Sequence, residues 1–193
     1  MNRFILASGS PRRRELLNQI GIIHEVIPSD VDESMTETDP SRVVEELSRR
    51  KAMDVAKKVH DDNPVLILGA DTVVTLDGHI LGKPADRQNA FEMLTALQGR
   101  KHIVYTGVTI VSKKDSEKKI HTFHESTEVE IYPMNAEEIH AYIATKDPMD
   151  KAGAYGIQGP FAAYIRGITG DYYTVVGLPV GRLAQELKML QHP

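Results

Sequence analysis

Cysteine is absent from the 193 residues of this chain. Its absence excludes disulfide bonds, thiol nucleophiles and cysteine-ligated metal sites, and it is compatible with a reducing compartment. Long hydrophobic runs are missing too, because no apolar stretch is long enough to span a membrane. The opening stretch MNRFILASGSPRRR has too short an apolar run for a signal peptide. We therefore expect a cytoplasmic protein without a membrane partner.

An excess of positive charge is also lacking. The chain has 23 Lys and Arg against 27 Asp and Glu, which gives a formal net charge of −4. Proteins that wrap nucleic acid are usually basic overall, so we do not expect a nucleic-acid partner. No repeat, low-complexity tract or linker divides the chain. We predict a single domain over residues 1–193, as one large domain or as two tightly joined lobes.

Strand-like and helix-like stretches alternate along the chain. RFILAS predicts a buried strand, and SPRRRELLNQIG after it has the spacing of a helix. HIVYTGVTIVSKK and KIHTFHESTEVEIYP predict two long strands of an antiparallel hairpin. FAAYIRGITGDYYTVVGLP is also strand-like. An alternation of strands and helices that includes an antiparallel hairpin predicts an α/β fold with a mixed sheet.

Three consecutive arginines, Arg12, Arg13 and Arg14, stand in the first turn of a predicted helix that Ser10 can cap. The helix dipole disfavours cations at this end. The free N–H groups there, together with arginine side chains, suit an anion such as phosphate. Successive helical side chains point about 100° apart, so we expect Arg12 and Arg13 to face the anion and Arg14 to face solvent. A basic surface patch is the alternative interpretation.

Two further segments carry side chains suited to such a site. In LGADTVV, a buried strand is predicted to end at Gly69-Ala70, with the carboxylate of Asp71 directly after it. Ligands of α/β sheets gather at strand ends, although a turn or capping aspartate is also common there. In LGKP, Lys83 lies in a loop between Gly and Pro, where a solvated lysine is the alternative interpretation.

Two loops complete the set of candidates. In SDVDES, Asp30, Asp32 and Glu33 could supply oxygen ligands to a divalent cation, although an acidic loop is usually only solvated. MDKAGAYGIQG is rich in small residues, which let the backbone approach a ligand closely. Gln158 in that loop can both donate and accept hydrogen bonds, which suits the edge of a nucleotide base. A plain flexible loop is the alternative interpretation.

Taken together and in order, LASGSPRRRELL, LGADTVV, LGKP, DKAGAYGIQG and GDYYTVVGLPV resemble the Maf family of nucleotide pyrophosphatases, also called septum formation inhibitor proteins. The resemblance runs from about residue 3 to about residue 190, and ordered motifs are more specific than any one of them. It implies a fold akin to inosine triphosphatases, with an elongated mixed sheet flanked by helices and a cleft between two lobes. It also implies hydrolysis of a nucleoside triphosphate to the monophosphate and pyrophosphate with Mg²⁺ or Mn²⁺.

The resemblance assigns roles to individual residues. It places the catalytic aspartate at Asp71 and an acidic loop residue at Glu33, and these two carboxylates would hold the metal. The residues implied to bind phosphate are Ser8, Arg12, Arg13, Lys51 and Lys83. A subgroup that prefers dTTP and UTP carries a GIQG-type loop, and its selectivity positions fall on Arg12, Thr72 and Gln158. The family usually continues after this loop with small residues, whereas this chain has Pro160-Phe161.

The implied chemistry is physically coherent, because cleavage between the α and β phosphates needs neutralised charge and an in-line water. Asp71 could act as the base, as a metal ligand or as both. The alternative function is a nucleotide-binding regulator of septum formation or cell division without turnover. Such a binder would need the cations but neither Asp71 nor Glu33. Family members are often dimers, so a homodimer is also expected, and modified pyrimidine nucleotides belong to the expected substrates.

Overall fold

The computed structural model describes residues 3–34, 36–60, 63–114 and 117–191. Within these ranges the chain forms seven strands and six α-helices. The strands are β1 (Arg3–Leu6), β2 (Glu25–Val26), β3 (Val65–Leu76), β4 (His79–Leu81), β5 (Lys101–Lys114), β6 (Glu117–Ile131) and β7 (Ile165–Thr169). The helices are α1 (Pro11–Gln19), α2 (Pro40–Lys58), α3 (Arg87–Leu97), α4 (Ala136–Ala144), α5 (Tyr172–Val176) and α6 (Val180–Gln191). None of the described helices is both long and apolar enough to cross a membrane.

The strands form one mixed sheet in the order β2-β1-β3-β5-β6-β7, with β4 paired to β3. β1 pairs in parallel with β2 and β3, whereas the β3–β4 and β6–β7 pairs are antiparallel. The turn after β3 has φ of 52° at Asp77 and 79° at Gly78, as a two-residue hairpin requires. The predicted α/β fold with a mixed sheet and helices is confirmed. The turn between β5 and β6 includes residues 115–116, outside the described residues.

The contacts of the chain group into two compact units. The first unit contains the chain up to Asp71, Thr106–Glu125 and the chain from Gly177 onward. The second unit contains Thr72–Tyr105 and Ser126–Val176. The single domain, the elongated shape and the cleft implied by the family resemblance stay predictions.

In the first unit, α2 lies unusually close to the sheet at two glycines. A Cβ on Gly69 of β3 would stand 2.2 Å from the carbonyl oxygen of Ser48, and a Cβ on Gly107 of β5 would stand 2.3 Å from that of Val44. Only glycine permits such an approach. The buried residues of α2 are Val43, Val44, Leu47, Ser48, Lys51, Ala52, Val55 and Ala56. One lysine therefore lies on the face that packs against the sheet.

Two strand predictions need correction. β3 does not end at Gly69-Ala70 but continues through Asp71 to Leu76, because the following Thr and Val residues are strong strand formers and Asp71 finds a partner within the fold. The predicted strand from Phe161 onward is mostly not a strand, and β7 has only five residues. Asp171 Oδ2 accepts hydrogen bonds from the N–H of Thr174 at 2.7 Å and from its hydroxyl at 2.9 Å, a local cap that favours the helix α5.

In the second unit, His102 and Tyr155 form a buried pair, from which we expect a dependence of stability on pH. His102 Nε2 lies 2.7 Å from the Tyr155 hydroxyl oxygen, and burial lowers the pKa of His102 to about 4. Below about pH 6.5, His102 is protonated in the unfolded chain but stays neutral in the folded chain. We therefore expect the free energy of unfolding to fall as pH drops from about 6.5 to about 4, by about 3 kcal/mol in total from this residue.

Urea unfolding of wild type and His102→Gln, from about pH 7 to about pH 4.5, measures this effect as a difference in slope. The variant should lose less stability on acidification than the wild type. His79→Gln, which changes an exposed histidine of the same unit, should keep the wild-type slope. Parallel curves for wild type and His102→Gln would show that His102 is not held neutral by the fold.

Candidate active site

β1 leads through Ser8 into the N-terminus of α1. Ser10 occupies the cap position with extended backbone but, contrary to the prediction, its side chain makes no capping hydrogen bond. Its N–H instead donates to Ser8 Oγ at 3.3 Å. Pro11 stands in the first turn, where its missing N–H costs nothing. The N-terminus of α1, the positive end of the helix dipole, therefore lies beside Ser8 and favours an anion.

Arg13 is the arginine of α1 that the fold holds in place. Its side chain is buried, with Nη1 donating to Ser8 Oγ at 3.1 Å and Nε donating to the Gly177 carbonyl oxygen at 2.8 Å. Burial lowers the pKa of Arg13, while the charges of Asp71 and Glu33 act in the opposite direction. A guanidinium remains charged at any ordinary pH. The first unit thus contains a fixed, buried cation beside Ser8 and close to Asp71.

The other two arginines differ from Arg13 in exposure. Arg14 is exposed and Arg12 is half-buried, so the expectation that Arg14 faces solvent is confirmed. Arg12 and Arg13 are consecutive residues of α1, and the positive charge of Arg12 adds to the lowering of the pKa of Arg13 that burial causes. Two like charges held together make a place where an anion is favoured.

Lys51 joins two carboxylates in the same unit. Its Nζ lies 2.6 Å from Asp71 Oδ1 and 2.7 Å from Glu33 Oε1. The side chains of Lys51 and Asp71 are only 10% and 11% exposed, whereas that of Glu33 is 52% exposed. The close packing of α2 at Gly69 brings Lys51 to Asp71 across the surface of the sheet. Glu33 reaches the pair from the loop before α2.

The remaining acids of the SDVDES loop use their carboxylates elsewhere. Asp30 Oδ2 lies 3.3 Å from Lys58 Nζ, and Asp32 accepts hydrogen bonds from the N–H of Ser34 at 2.9 Å and from its hydroxyl at 2.6 Å. In the described residues, no group of three or more Asp, Glu or His side chains is placed to hold a metal ion. Of the three acids suggested by the sequence, only Glu33 reaches the Lys51 and Asp71 pair.

The donor set nevertheless fits a hard divalent cation. Two carboxylates converge on one positively charged atom, Lys51 Nζ, so this point of the fold favours a cation. Mg²⁺ is typically held by one or two protein carboxylates, with water and substrate phosphates as the remaining ligands. Glu33 and Asp71 satisfy that requirement by residue type and by convergence.

The three predicted residues of the second unit are Thr72, Lys83 and Gln158. Thr72 is half-buried, whereas Lys83 and Gln158 are exposed. Their two loops are joined, because the N–H of Gly153 donates to the carbonyl oxygen of Gly82 at 3.0 Å. The structure therefore brings the LGKP loop and the glycine-rich loop together. Thr72 follows Asp71 directly in β3.

The unusual Pro160-Phe161 pair has a clear structural role. Phe161 is fully buried, and its ring centroid lies 4.9 Å from those of both Tyr142 and Tyr155. Pro160 stands at the start of the 3₁₀ turn Pro160–Tyr164, where its fixed φ is suitable. A large residue directly after the loop therefore anchors it in the core of the second unit.

The sequence analysis missed the contact between Arg13 and Gly177, and it overlooked the spacing that places Lys51 on the buried face of α2. Gly177 supplies a carbonyl to Arg13 from 164 residues away, and no local pattern announces that contact. Lys51 was assigned by resemblance alone, although it stands four residues from both Leu47 and Val55 on the buried face of α2. A lysine on an apolar stripe is rare unless its charge is paired, so that spacing alone indicated a role.

The chain matches the model of the Maf-like protein family over residues 3–190. It belongs to the Maf family. A dTTP/UTP pyrophosphatase of Agathobacter rectalis is 52% identical to it, with 98% of both chains covered. A dTTP/UTP pyrophosphatase of Lachnoclostridium phytofermentans is 50% identical, over 97% of this chain and 95% of that one. The predicted family is thus confirmed, and so is the prediction that the chain is an enzyme, a nucleotide pyrophosphatase.

A more distant likeness is to the Ham1 protein of Staphylococcus aureus. Its TM-score is 0.43 at 18% identity, over 79% of this chain and 85% of that one. A similarity of this degree is too slight to bear on the site.

Proposed function

We propose that this Maf-family chain hydrolyses dTTP and UTP to the monophosphate and pyrophosphate. The observation that carries the proposal is the cluster in which the cations Arg13 and Lys51 stand beside the carboxylates Asp71 and Glu33. Relatives that are about half identical and named dTTP/UTP pyrophosphatase support the choice of nucleotides. Modified pyrimidine nucleotides with the same base edge belong to the proposed substrate class.

The cations of the cluster would bind the triphosphate. Arg13 is already fixed by Ser8 and Gly177, so little side-chain entropy is lost when it meets a phosphate oxygen. Arg12 and the positive dipole end of α1 add positive potential beside it. Donors held in advance of the reaction stabilise charge that develops on the phosphates without further reorganisation.

Asp71 would act on the attacking water. Its carboxylate is buried and fixed by Lys51, which gives one oxygen a defined direction. The other carboxylate oxygen can accept a hydrogen bond from water and take its proton as the phosphoanhydride bond breaks. Lys51 would hold Asp71 in place through their contact at 2.6 Å and would also be placed to bind a phosphate oxygen.

Mg²⁺ or Mn²⁺ is part of the proposal, with Glu33 and Asp71 as its protein ligands. When bound, such a cation polarises phosphate oxygens and neutralises part of their charge. The chain itself brings the two carboxylates together. Lys51 neutralises part of their negative charge before a cation and a triphosphate bind.

Pyrophosphate release tests the proposed function directly. The purified chain is supplied with dTTP, UTP, CTP and purine triphosphates, each with Mg²⁺, with Mn²⁺ or with a chelator. We expect release from dTTP and UTP with a metal ion and none with the chelator. Tight nucleotide binding without release would favour the alternative function, a regulator of septum formation without turnover. The cytoplasmic location and the homodimer stay predictions.

Gln158→Ala should reduce the preference for pyrimidines of the uracil type. Uracil and thymine present an acceptor, a donor and a second acceptor along the pairing edge, and one carboxamide can meet two adjacent groups. Cytosine exchanges donor and acceptor at two of these positions, and a purine needs more room. Because one mismatched hydrogen bond costs about 1–3 kcal/mol, we expect wild type to favour UTP over CTP and GTP by about tenfold to hundredfold.

The measurement is kcat/KM for UTP, CTP and GTP in wild type, Gln158→Ala and Thr72→Ala. Gln88→Ala removes an exposed glutamine from α3 of the same unit and should keep the wild-type preference. Equal use of UTP and GTP by the wild type, or full selectivity in Gln158→Ala, would contradict the role proposed for this loop.

A further inference from the structure

The glycine-rich segment that carries Gln158 forms a tight turn. The N–H of Gly159 donates to the carbonyl oxygen of Gly156 at 3.3 Å. Within the turn, Ile157 is buried and Gln158 is exposed. We call Gly156–Gly159 the glutamine loop. Its apolar residue points into the second unit, and its polar residue is presented on the surface.

An ion pair lies directly beneath both ends of the glutamine loop. A Cβ on Gly156 would stand 2.6 Å from Lys151 Cε, and a Cβ on Gly159 would stand 3.1 Å from Asp147 Oδ2. Lys151 Nζ lies 3.1 Å from Asp147 Oδ1, with side chains only 13% and 24% exposed. Both glycines of the loop therefore rest on one partly buried ion pair, and a side chain at Gly156 would require Lys151 to move.

Tyr142 connects this ion pair to the loop backbone. Its hydroxyl donates to Asp147 Oδ2 at 2.6 Å and accepts from the N–H of Gly156 at 3.2 Å. Burial, and then the hydrogen bond to Asp147, raise the pKa of Tyr142 above its ordinary value, so the hydroxyl keeps its proton and continues to donate. The Tyr142 ring also packs on Phe161, which follows the loop.

The backbone around this ion pair adopts uncommon conformations. Lys146, just before Asp147, has φ of 66°, and Ala154, two residues before the loop, has φ of 59°. Residues with a side chain are uncommon at positive φ, and they persist there only when the surrounding contacts hold them. The backbone before and after the ion pair is therefore kept in these conformations by its contacts, among them the hydrogen bond from the N–H of Lys146 to the carbonyl oxygen of Ile143 at 3.0 Å.

We propose that Asp147 and Tyr142 are positioning residues for base selection, which hold the glutamine loop in the conformation that presents Gln158. This inference rests on the proposed function, because it assumes that Gln158 meets the base. Neither residue needs to touch the nucleotide. Asp147 fixes the direction of the Tyr142 hydroxyl and the position of Lys151, and these two groups then fix the backbone at Gly156.

Selectivity measures this role in the full-length chain. Asp147→Asn and Tyr142→Phe should each lower the ratio of kcat/KM for UTP to that for CTP by about tenfold, mainly through a higher KM for UTP. In a Gln158→Ala background, neither change should lower the ratio further. Asp77→Asn is the control, because Asp77 forms an exposed ion pair with Arg100 elsewhere in the same unit, and it should keep the wild-type ratio.

Amide hydrogen exchange tests the positioning without reference to any nucleotide. In Tyr142→Phe, only the hydroxyl oxygen that accepts from Gly156 is lost, so exchange should accelerate in the peptide that contains Gly156–Phe161 and stay unchanged in α3. Circular dichroism and melting temperature establish that each variant is folded. If Asp147→Asn does not fold, Tyr142→Phe carries both measurements.

The outcomes separate the two levels of the proposal. If wild type shows no preference for UTP, or Gln158→Ala keeps it, the proposed base selection is wrong, and unchanged exchange in Tyr142→Phe overturns the positioning role by itself. If Gln158→Ala loses the preference while Asp147→Asn and Tyr142→Phe keep it, the positioning role is wrong although the proposed function holds. If Asp147→Asn and Tyr142→Phe lower kcat/KM for UTP and for CTP by the same factor, the two residues have a purely structural role, and the positioning role is wrong.

Discussion

Asp71→Asn should lower the rate of pyrophosphate release at least about 10³-fold in a chain that remains folded. The carboxylate of Asp71 is buried, and its Oδ1 lies 2.6 Å from Lys51 Nζ. Asparagine keeps the shape of aspartate but loses the charge, so it can neither accept a proton from water nor attract a divalent cation. Lys51 keeps Glu33 as an ionic partner, which limits the structural cost.

The matched control for this prediction is Asp54→Asn. Asp54 and Lys58 are one turn apart in α2, with Asp54 Oδ2 2.8 Å from Lys58 Nζ. The substitution therefore breaks a different Asp–Lys pair and leaves the contacts among Lys51, Asp71 and Glu33 in place. It should keep turnover within about twofold, since an exposed ion pair contributes little. Release by Asp71→Asn within a few-fold of wild type would remove Asp71 from the catalytic position.

Calorimetric titration with Mn²⁺ then separates the two roles left open for Asp71. Loss of Mn²⁺ binding in Asp71→Asn would identify a metal ligand, because the amide oxygen is a much weaker ligand for a hard cation than a carboxylate. Retained binding with lost turnover would identify the base. Glu33→Gln provides the comparison, since that residue is proposed only as a ligand.

Local chemistry made parts of the fold predictable from the sequence. Asn135 and Glu138 form a capping box at the start of α4, Asp86 caps α3, and Asp77-Gly78 forms the turn after β3. Each depends on residues within four positions of one another, so the sequence pattern contains the whole interaction. The end of β3 was predicted wrongly, because a polar residue inside a strand depends on a partner elsewhere in the fold.

The candidate site divides in the same way. Helical geometry predicted that the three arginines cannot all face one ligand, and the exposure of Arg14 agrees with the expectation that this residue faces solvent. The pairing of Lys51 with Asp71 could not be predicted from local spacing, since it depends on the packing of a helix against Gly69 of a strand. The support of the glutamine loop by Asp147 and Tyr142 was missed for the same reason, because these contacts form only in the folded unit.

Arg13→Ala should lower kcat/KM for UTP by about 10²–10³-fold, whereas Arg14→Ala should change it less than about threefold. Arg13 is buried and fixed by hydrogen bonds to Ser8 and Gly177, and its charge stands near Asp71 and Glu33. Arg14 is the next residue of the same helix and is exposed. The pair is therefore a matched comparison of one arginine inside the cluster with one outside it.

A buried arginine can also be required for folding, and the comparison must separate that role from phosphate binding. Arg13→Lys keeps the charge but cannot reproduce both hydrogen bonds of the guanidinium, so its kcat/KM should lie between those of wild type and Arg13→Ala. Each variant is first shown to be folded, and the rise in melting temperature with a non-hydrolysable UTP analogue is then measured. The melting temperatures of wild type and Arg14→Ala should rise by the same amount, whereas that of Arg13→Ala should hardly change, because stabilisation by a ligand depends on its affinity. Equal losses in Arg13→Ala and Arg14→Ala would mean that a different face of α1 meets the phosphates.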